Sequence, residues 1–247
     1  MGIIWHENLT STNDWALQEA ERLDNLSITA TFCQTAGRGQ QGNKWSSAVG
    51  KNLLFSVLIK DFNCFGLTPL PASRQFLLSR AAALSVLSFL EKWGLHACIK
   101  WPNDIYVGDK KIAGILIENG LQGKALVRSI IGIGINLGQR EFPPELPNPT
   151  SVALLTGVDF SREVLQTELQ RFAKIFEDKL QEAADAIKDD YEQRLYRKDV
   201  WSSYRETSTG ARFEARLLGT EDGGRVLLEV HGGSIRTFAF KELEFLI

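Results

Sequence analysis

Lys100-Trp101-Pro102-Asn103-Asp104, with Lys111 seven residues beyond Asp104, sets an ammonium, an aromatic face, a proline bend and a carboxamide–carboxylate pair close together. Such groups can neutralise an anion and hold a flat ring. A second segment, Gly37-Arg38-Gly39-Gln40-Gln41-Gly42-Asn43-Lys44-Trp45, lies upstream. Its three glycines allow backbone N–H groups to face one concavity, Arg38 and Lys44 add positive charge, and Trp45 offers a surface for stacking a base. Each feature also has a plain structural explanation. The glycine segment suits a hairpin loop, Asn103-Asp104 suits a turn bonding its own backbone, and Lys111 suits a solvated strand lysine.

The glycine segment matches G-x-G-x-x-G at Gly37, Gly39 and Gly42, with Asp61 nineteen residues after Gly42. A dinucleotide fingerprint needs a helix opening at the third glycine. Only nine residues separate Gly42 from the strand expected at Asn52, and they include Trp45, Ser46, Ser47 and Gly50. No helix fits there, and the Gly-Lys-Ser/Thr ending of a P-loop is missing. His6, His96 and His231 lie too far apart to suggest a metal site.

The elements that must position these residues are legible from pattern. Residues 3–7 read as a first strand. Ser11-Thr12-Asn13-Asp14 forms a capping box with Ser11 as N-cap, opening a helix that runs to about Leu23. Residues 28–33 and 52–60 read as strands, the second apolar enough to be buried on both faces. Residues 73–93 form an apolar helix stopped by Gly94. Strands are expected at 97–101 and 105–107, with a hairpin turn at Gly108-Asp109, a return strand through Glu118, and a long strand at 126–137. Leu165, Leu169, Phe172, Phe176 and Leu180 mark an amphipathic helix. From about Ser208 onward, short strands with glycine turns indicate a small separate β-barrel. The class is α+β, with strands in hairpins rather than βαβ units.

At 247 residues, 44% hydrophobic and 23% charged, the chain suits one main domain plus a small appendage. A net charge of −2 and a pI near 6.0 speak against a general binder of nucleic acid or anionic membranes. No apolar run approaches a membrane span, and no signal-peptide layout opens the sequence, so a cytoplasmic protein is expected. Three scattered cysteines, Cys33, Cys64 and Cys98, read as reduced thiols filling the core.

Taken in order, Ser11-Thr12-Asn13, Gln34, the 37–45 loop, Lys100 to Asp104, Lys111-Ile112-Ala113-Gly114-Ile115-Leu116 and Gly132-Ile133-Gly134-Ile135-Asn136 resemble biotin protein ligases, the biotin–[acetyl-CoA-carboxylase] ligases. The similarity runs from about residue 3 to 155 and resumes near the C-terminus. It implies a mixed β-sheet flanked by helices, the class II synthetase-like catalytic domain of biotin and lipoate ligases, over 1–200. A small SH3-like β-barrel over 201–247 would follow.

The resemblance implies an ATP-dependent ligase. Biotin and Mg2+-ATP would give biotinyl-5′-AMP, and the acyl group would pass to one lysine of a biotin carboxyl carrier domain of acetyl-CoA carboxylase or a related biotin-dependent carboxylase. Ser11, Thr12, Asn13 and Gln34 would hold the biotin head, with Arg38, Gly39, Gln40, Lys111 and Gly114 also against biotin. Arg38, Trp45, Asn103, Lys111 and Asn136 would bind ATP. Lys111, Arg38 and Asp104 would be catalytic, Asp104 orienting the acceptor lysine. No protein metal ligand, nucleic acid or membrane enters this reading, and a homodimer is left open.

Two departures stand out. The family loop usually reads Gly-Arg-Gly-Arg, whereas Gln40 is neutral here. Many bacterial members also carry an N-terminal DNA-binding domain, for which this sequence has no room before the catalytic pattern. Two rivals are a lipoate-type acyl ligase and a non-catalytic biotin- or adenylate-binding module. Lipoate lacks the ureido group that Ser11, Thr12 and Gln34 would serve.

Overall fold

The computed structural model describes residues 1–63 and 70–246. Its main sheet has seven strands in the order β1-β2-β3-β7-β6-β5-β4. These are β1 (Ile3–His6), β2 (Ile28–Thr31), β3 (Leu53–Ile59), β4 (Ala97–Lys100), β5 (Asp104–Val107), β6 (Lys110–Gln122) and β7 (Ala125–Ile135). β3 lies inside the sheet, between β2 and β7, and is buried at every position, as its near-continuous apolar run requires.

Helices α1 (Thr12–Gln18), α2 (Phe76–Glu91), α3 (Val152–Thr156), α4 (Arg162–Lys179) and α5 (Ala184–Gln193) complete this unit. The α4 stripe of Leu165, Leu169, Phe172 and Phe176 is fully buried. Phe172 meets Phe55 of β3 at 4.8 Å and Phe89 of α2 at 5.8 Å between ring centres, so sheet, α2 and α4 share one core.

Some expectations from pattern are corrected. β1 and β2 pair in parallel, Ile3 opposite Ile28, with α1 between them, so a βαβ unit does occur. Helix α1 stops at Gln18, and Lys60 Nζ donates to the Ala20 carbonyl at 3.2 Å and to that of Leu23, fastening the turns that follow. Helix α2 is shorter than expected, its first turn being a 3-10 turn at Ala72–Arg74. Helices α3 and α5 were not read from sequence. Cys33 and Cys98 are half-buried rather than core residues, and burial pushes the Cys98 thiol up to about 11. Cys64 lies outside the described residues.

The second sheet is antiparallel: β8 (Trp201–Glu206), β9 (Arg212–Thr220), β10 (Val226–Val230), β11 (Ile235–Phe238) and β12 (Leu243–Phe245), in the order β11-β10-β9-β8-β12. β11 and β12 do not pair, so hydrogen bonds leave the expected barrel unclosed. Arg80 of α2, only 3% exposed, ties this sheet to the main unit. It donates to Thr220 Oγ1 at 3.0 Å and to the Glu221 carbonyl at 2.9 Å.

Candidate active site

A cavity of about 460 Å3 opens over the central strands and reaches the second sheet. At one end Ser11 caps α1, its Oγ accepting from the Asp14 N–H at 3.4 Å. The Thr12 N–H and hydroxyl both donate to Gln34 Oε1, at 2.8 and 3.2 Å. Ser56 of β3 donates to Thr12 Oγ1 at 2.7 Å and Asn13 Oδ1 at 2.6 Å, distances that a single hydroxyl hydrogen serves in turn. Asn13 Nδ2 donates to Glu118 Oε2 at 2.7 Å. A Cβ on Gly132 would lie 2.3 Å from Asn13 Oδ1, so this packing requires glycine there. The result is a compact polar end whose groups can both donate and accept.

The glycine segment is a hairpin loop, and no α-helix follows it. Arg38 and Lys44 form a β-bridge, the Gly39 N–H donates to the Asn43 carbonyl at 2.7 Å, and Gln40–Gly42 make a 3-10 turn. Arg38 reaches across to Asp14 at 2.5 Å and Glu118 at 2.9 Å. Trp45 lies on the sheet over two glycines. A Cβ would come within 2.9 Å of its ring at Gly114 and 2.4 Å at Gly134. Glycine at these strand positions thus makes room for the Trp45 ring against the sheet.

The Lys100-to-Asp104 bend, with a cis Trp101–Pro102 peptide, joins β4 to β5. Asn103 fastens it to β6: Nδ2 donates to the Ile115 carbonyl at 2.7 Å, and its own carbonyl accepts the Ile115 N–H at 3.0 Å. Trp101 Nε1 donates to the Gly224 carbonyl at 2.9 Å, so the β9–β10 turn supports the bend. Asp104 and Lys111 meet at 2.6 Å across the β5–β6 hairpin. Lys100 Nζ lies 3.3 Å from the Tyr106 hydroxyl, and burial pushes its pKa below the ordinary lysine value, partly offset by Asp104.

Ser11, Thr12, Asn13, Gln34, Arg38, Gly39, Gln40, Trp45, Asn103, Asp104, Lys111 and Gly114 all line this one cavity. Asn136 does not. It is 4% exposed, its Nδ2 donates to the Thr150 carbonyl at 3.0 Å, and its buried Oδ1 has no partner. Sequence reasoning missed Ser56, Glu118 and the wall formed by Phe240, Lys241, Glu244 and Phe245. Ser56 carried a signal, a lone hydroxyl amid an apolar strand. The C-terminal wall carried none.

The site belongs to an α+β unit and brings several cations to a cavity with one compact polar end. Residues 5–136 match the model of the biotin/lipoate A/B protein ligase family, and the chain belongs to that family. It is 31% identical over 237 residues to the bifunctional ligase/repressor BirA of Bacillus subtilis, covering 94% of this chain and 70% of that protein. It is 30% identical over 134 residues to the biotin–[acetyl-CoA-carboxylase] ligase of Paracoccus denitrificans, covering 51% of each. The solved biotin protein ligase of Aquifex aeolicus in complex with biotin and ATP superposes with a TM-score of 0.76 at 27% identity, covering 99% of both chains.

Proposed function

We propose that this chain is an ATP-dependent biotin–protein ligase that makes biotinyl-5′-AMP and transfers the acyl group to a lysine of a biotin carboxyl carrier domain. The observation that carries this reading is the convergence of the Ser11–Gln34 polar end, the cationic loop and the Lys111–Asp104 pair on one cavity. The polar end suits a ureido group, which presents two N–H donors and a carbonyl acceptor, and gives an apolar dithiolane little to bond. The ligase names and the biotin- and ATP-bound relative support the same assignment.

In the first step a carboxylate oxygen attacks the α-phosphorus of ATP. The bond from that phosphorus to the bridging oxygen breaks, and its electron pair leaves with pyrophosphate. Two anions must meet, so the protein's task is alignment and charge neutralisation. Lys111 and Arg38 supply the cations, and Trp45, seated over Gly114 and Gly134, supplies an aromatic face on which a base can stack. In the second step an acceptor amine attacks the acyl carbonyl and AMP leaves. Asp104 orients the amine and takes its proton.

Among the described residues no cluster of three or more His, Cys, Asp or Glu could hold a metal. Mg2+ would arrive on the triphosphate, where it would neutralise phosphate charge. We assign residues 1–200 to ligand binding and catalysis and 201–247 to a C-terminal unit. Among the described residues no helix is long and apolar enough to cross a membrane.

The test is pyrophosphate release from ATP with biotin or lipoate, with and without a carrier domain. Release with biotin, followed by transfer to the carrier, is expected. Release with lipoate alone would assign the rival acyl ligase, and biotin binding without release would assign a non-catalytic module.

A further inference from the structure

Lys241 occupies a backbone conformation that lysine rarely adopts. It is the third residue of the turn Ala239-Phe240-Lys241-Glu242, closed by the Glu242 N–H donating to the Ala239 carbonyl at 3.0 Å. Its φ is +81°, a turn geometry that glycine or asparagine fills without strain. The turn is held rigidly. Thr207 Oγ1 donates to the Lys241 carbonyl, the Thr207 N–H to the Glu242 carbonyl at 3.1 Å, and the Ala239 N–H to Glu242 Oε2 at 2.6 Å. The turn links the two edge strands of the second sheet, which puts Lys241 at the rim of the active-site cavity, on a different wall from the glycine loop.

The charges on the cavity lining are unbalanced. Arg38, Lys44, Lys100, Lys111 and Lys241 line it together with two carboxylates, Asp104 and Glu244. Asp104 pairs with Lys111, and Glu244 pairs with Arg205, which does not line the cavity. Arg38 is held by Asp14 and Glu118. Among the described residues Lys44, Lys100 and Lys241 have no carboxylate at ion-pair distance. A biotin carboxylate carries one negative charge, and Lys111 with Arg38 meets it. The surplus cations match a ligand with several more charges, and the diphosphate leaving group is the part of the proposed reaction that has them.

We propose that Lys241 is a binding residue for the β- and γ-phosphates of ATP and for the pyrophosphate product, supplied by the C-terminal sheet. This rests on the ATP-dependent reading of the site. Backbone strain at a residue that presents its charge to a cavity fits a position kept for function over stability. The turn fixes the backbone at Lys241, and its exposed side chain lines the cavity as a cation for the phosphates.

Two neutral variants suited to this φ, Lys241→Gly and Lys241→Asn, separate charge from strain. Binding of a non-hydrolysable ATP analogue, inhibition by inorganic pyrophosphate, biotin affinity and thermal midpoint are measured for each. Both variants should weaken analogue binding and pyrophosphate inhibition by about five- to tenfold, the scale of a charge-assisted contact at an exposed rim. Biotin affinity should stay within about twofold, and Lys241→Gly should melt at or above the wild-type temperature. Unchanged analogue and pyrophosphate binding would overturn the assignment, as would a defect confined to the KM for the carrier domain. Because analogue binding needs neither biotin nor turnover, a wild type that binds ATP but releases no pyrophosphate with biotin would count against the ligase reading and not against Lys241.

Discussion

At the scale of single residues, the proposed chemistry centres on the Lys111–Asp104 pair, which meets at 2.6 Å. Replacing Lys111 with Ala removes the cation proposed to stand where carboxylate and α-phosphate meet. A preorganised electrostatic contact of that kind contributes ~2.7–4 kcal/mol, so adenylate formation should slow by ~10²–10³ with the fold intact. Single-turnover pyrophosphate release checks this, and a change below about threefold would make Lys111 a bystander. Gln40 is the second such residue. It is half-buried, lines the cavity, and its Oε1 is buried without a partner, so it does not simply face solvent. A neutral amide holds a phosphate less strongly than a guanidinium, because charge-assisted hydrogen bonds are roughly twice as strong. Gln40→Arg is therefore expected to slow escape of the acyl-adenylate and reduce labelling of bystander lysines. A release rate that stays the same or rises rejects that role.

At the scale of elements, the glycine loop depends on partners outside itself. Arg38 joins it to Asp14 on α1 and Glu118 on β6, and Trp45 seats it on Gly114 and Gly134. Both ion pairs are partly exposed, and pairs of that kind are worth roughly 0–1 kcal/mol each. The loop should therefore open readily, be cut by trypsin near Arg38 and Lys44, and gain protection when biotin and ATP add contacts. Equal cleavage with and without ligands would exclude ordering by ligand. Gly134→Ala should expose the loop further, because its methyl would fall 2.4 Å from the Trp45 ring.

At the scale of the whole molecule, the second sheet forms one wall of the cavity and supports the Lys100-to-Asp104 bend through Trp101 and the Gly224 carbonyl. Arg80 holds the two units together from a buried position. Its guanidinium packs 5.2 Å from the Phe76 ring centre and bonds the β9–β10 turn. Burial lowers its pKa, with Tyr191 and Asp222 opposing that effect. Truncation to Ala would strand the Thr220 and Glu221 groups and open space beneath the turn. A cost of about 2–4 kcal/mol is expected. Urea unfolding checks the loss, and turnover should fall with it, since the Trp101 support moves with the turn. A variant as stable as wild type would show that Arg80 does not join the units.

The local chemistry was legible in the linear chain. Capping at Ser11, the glycine hairpin, the Asn103–Asp104 bend and the Lys111 strand each depend on neighbours a few residues away, and pattern reports such neighbours. The α4 stripe was legible for the same reason, since burial of one helix face imposes its own period. Helix α5, with Ile187 and Tyr191 as its buried residues, gave too short a stripe to read. The parallel β1–β2 pairing and the unclosed second sheet depend on hydrogen bonds between strands, which no local pattern encodes. The meeting of Ser56 with Thr12 and Asn13, of Arg38 with Glu118, and of Lys241 with the cavity joins residues 43 to some 200 positions apart. Residue types and short spacings therefore determined which chemistry this chain could perform. Only the folded sheet, by placing distant side chains within a few ångströms, decided which of them share one site.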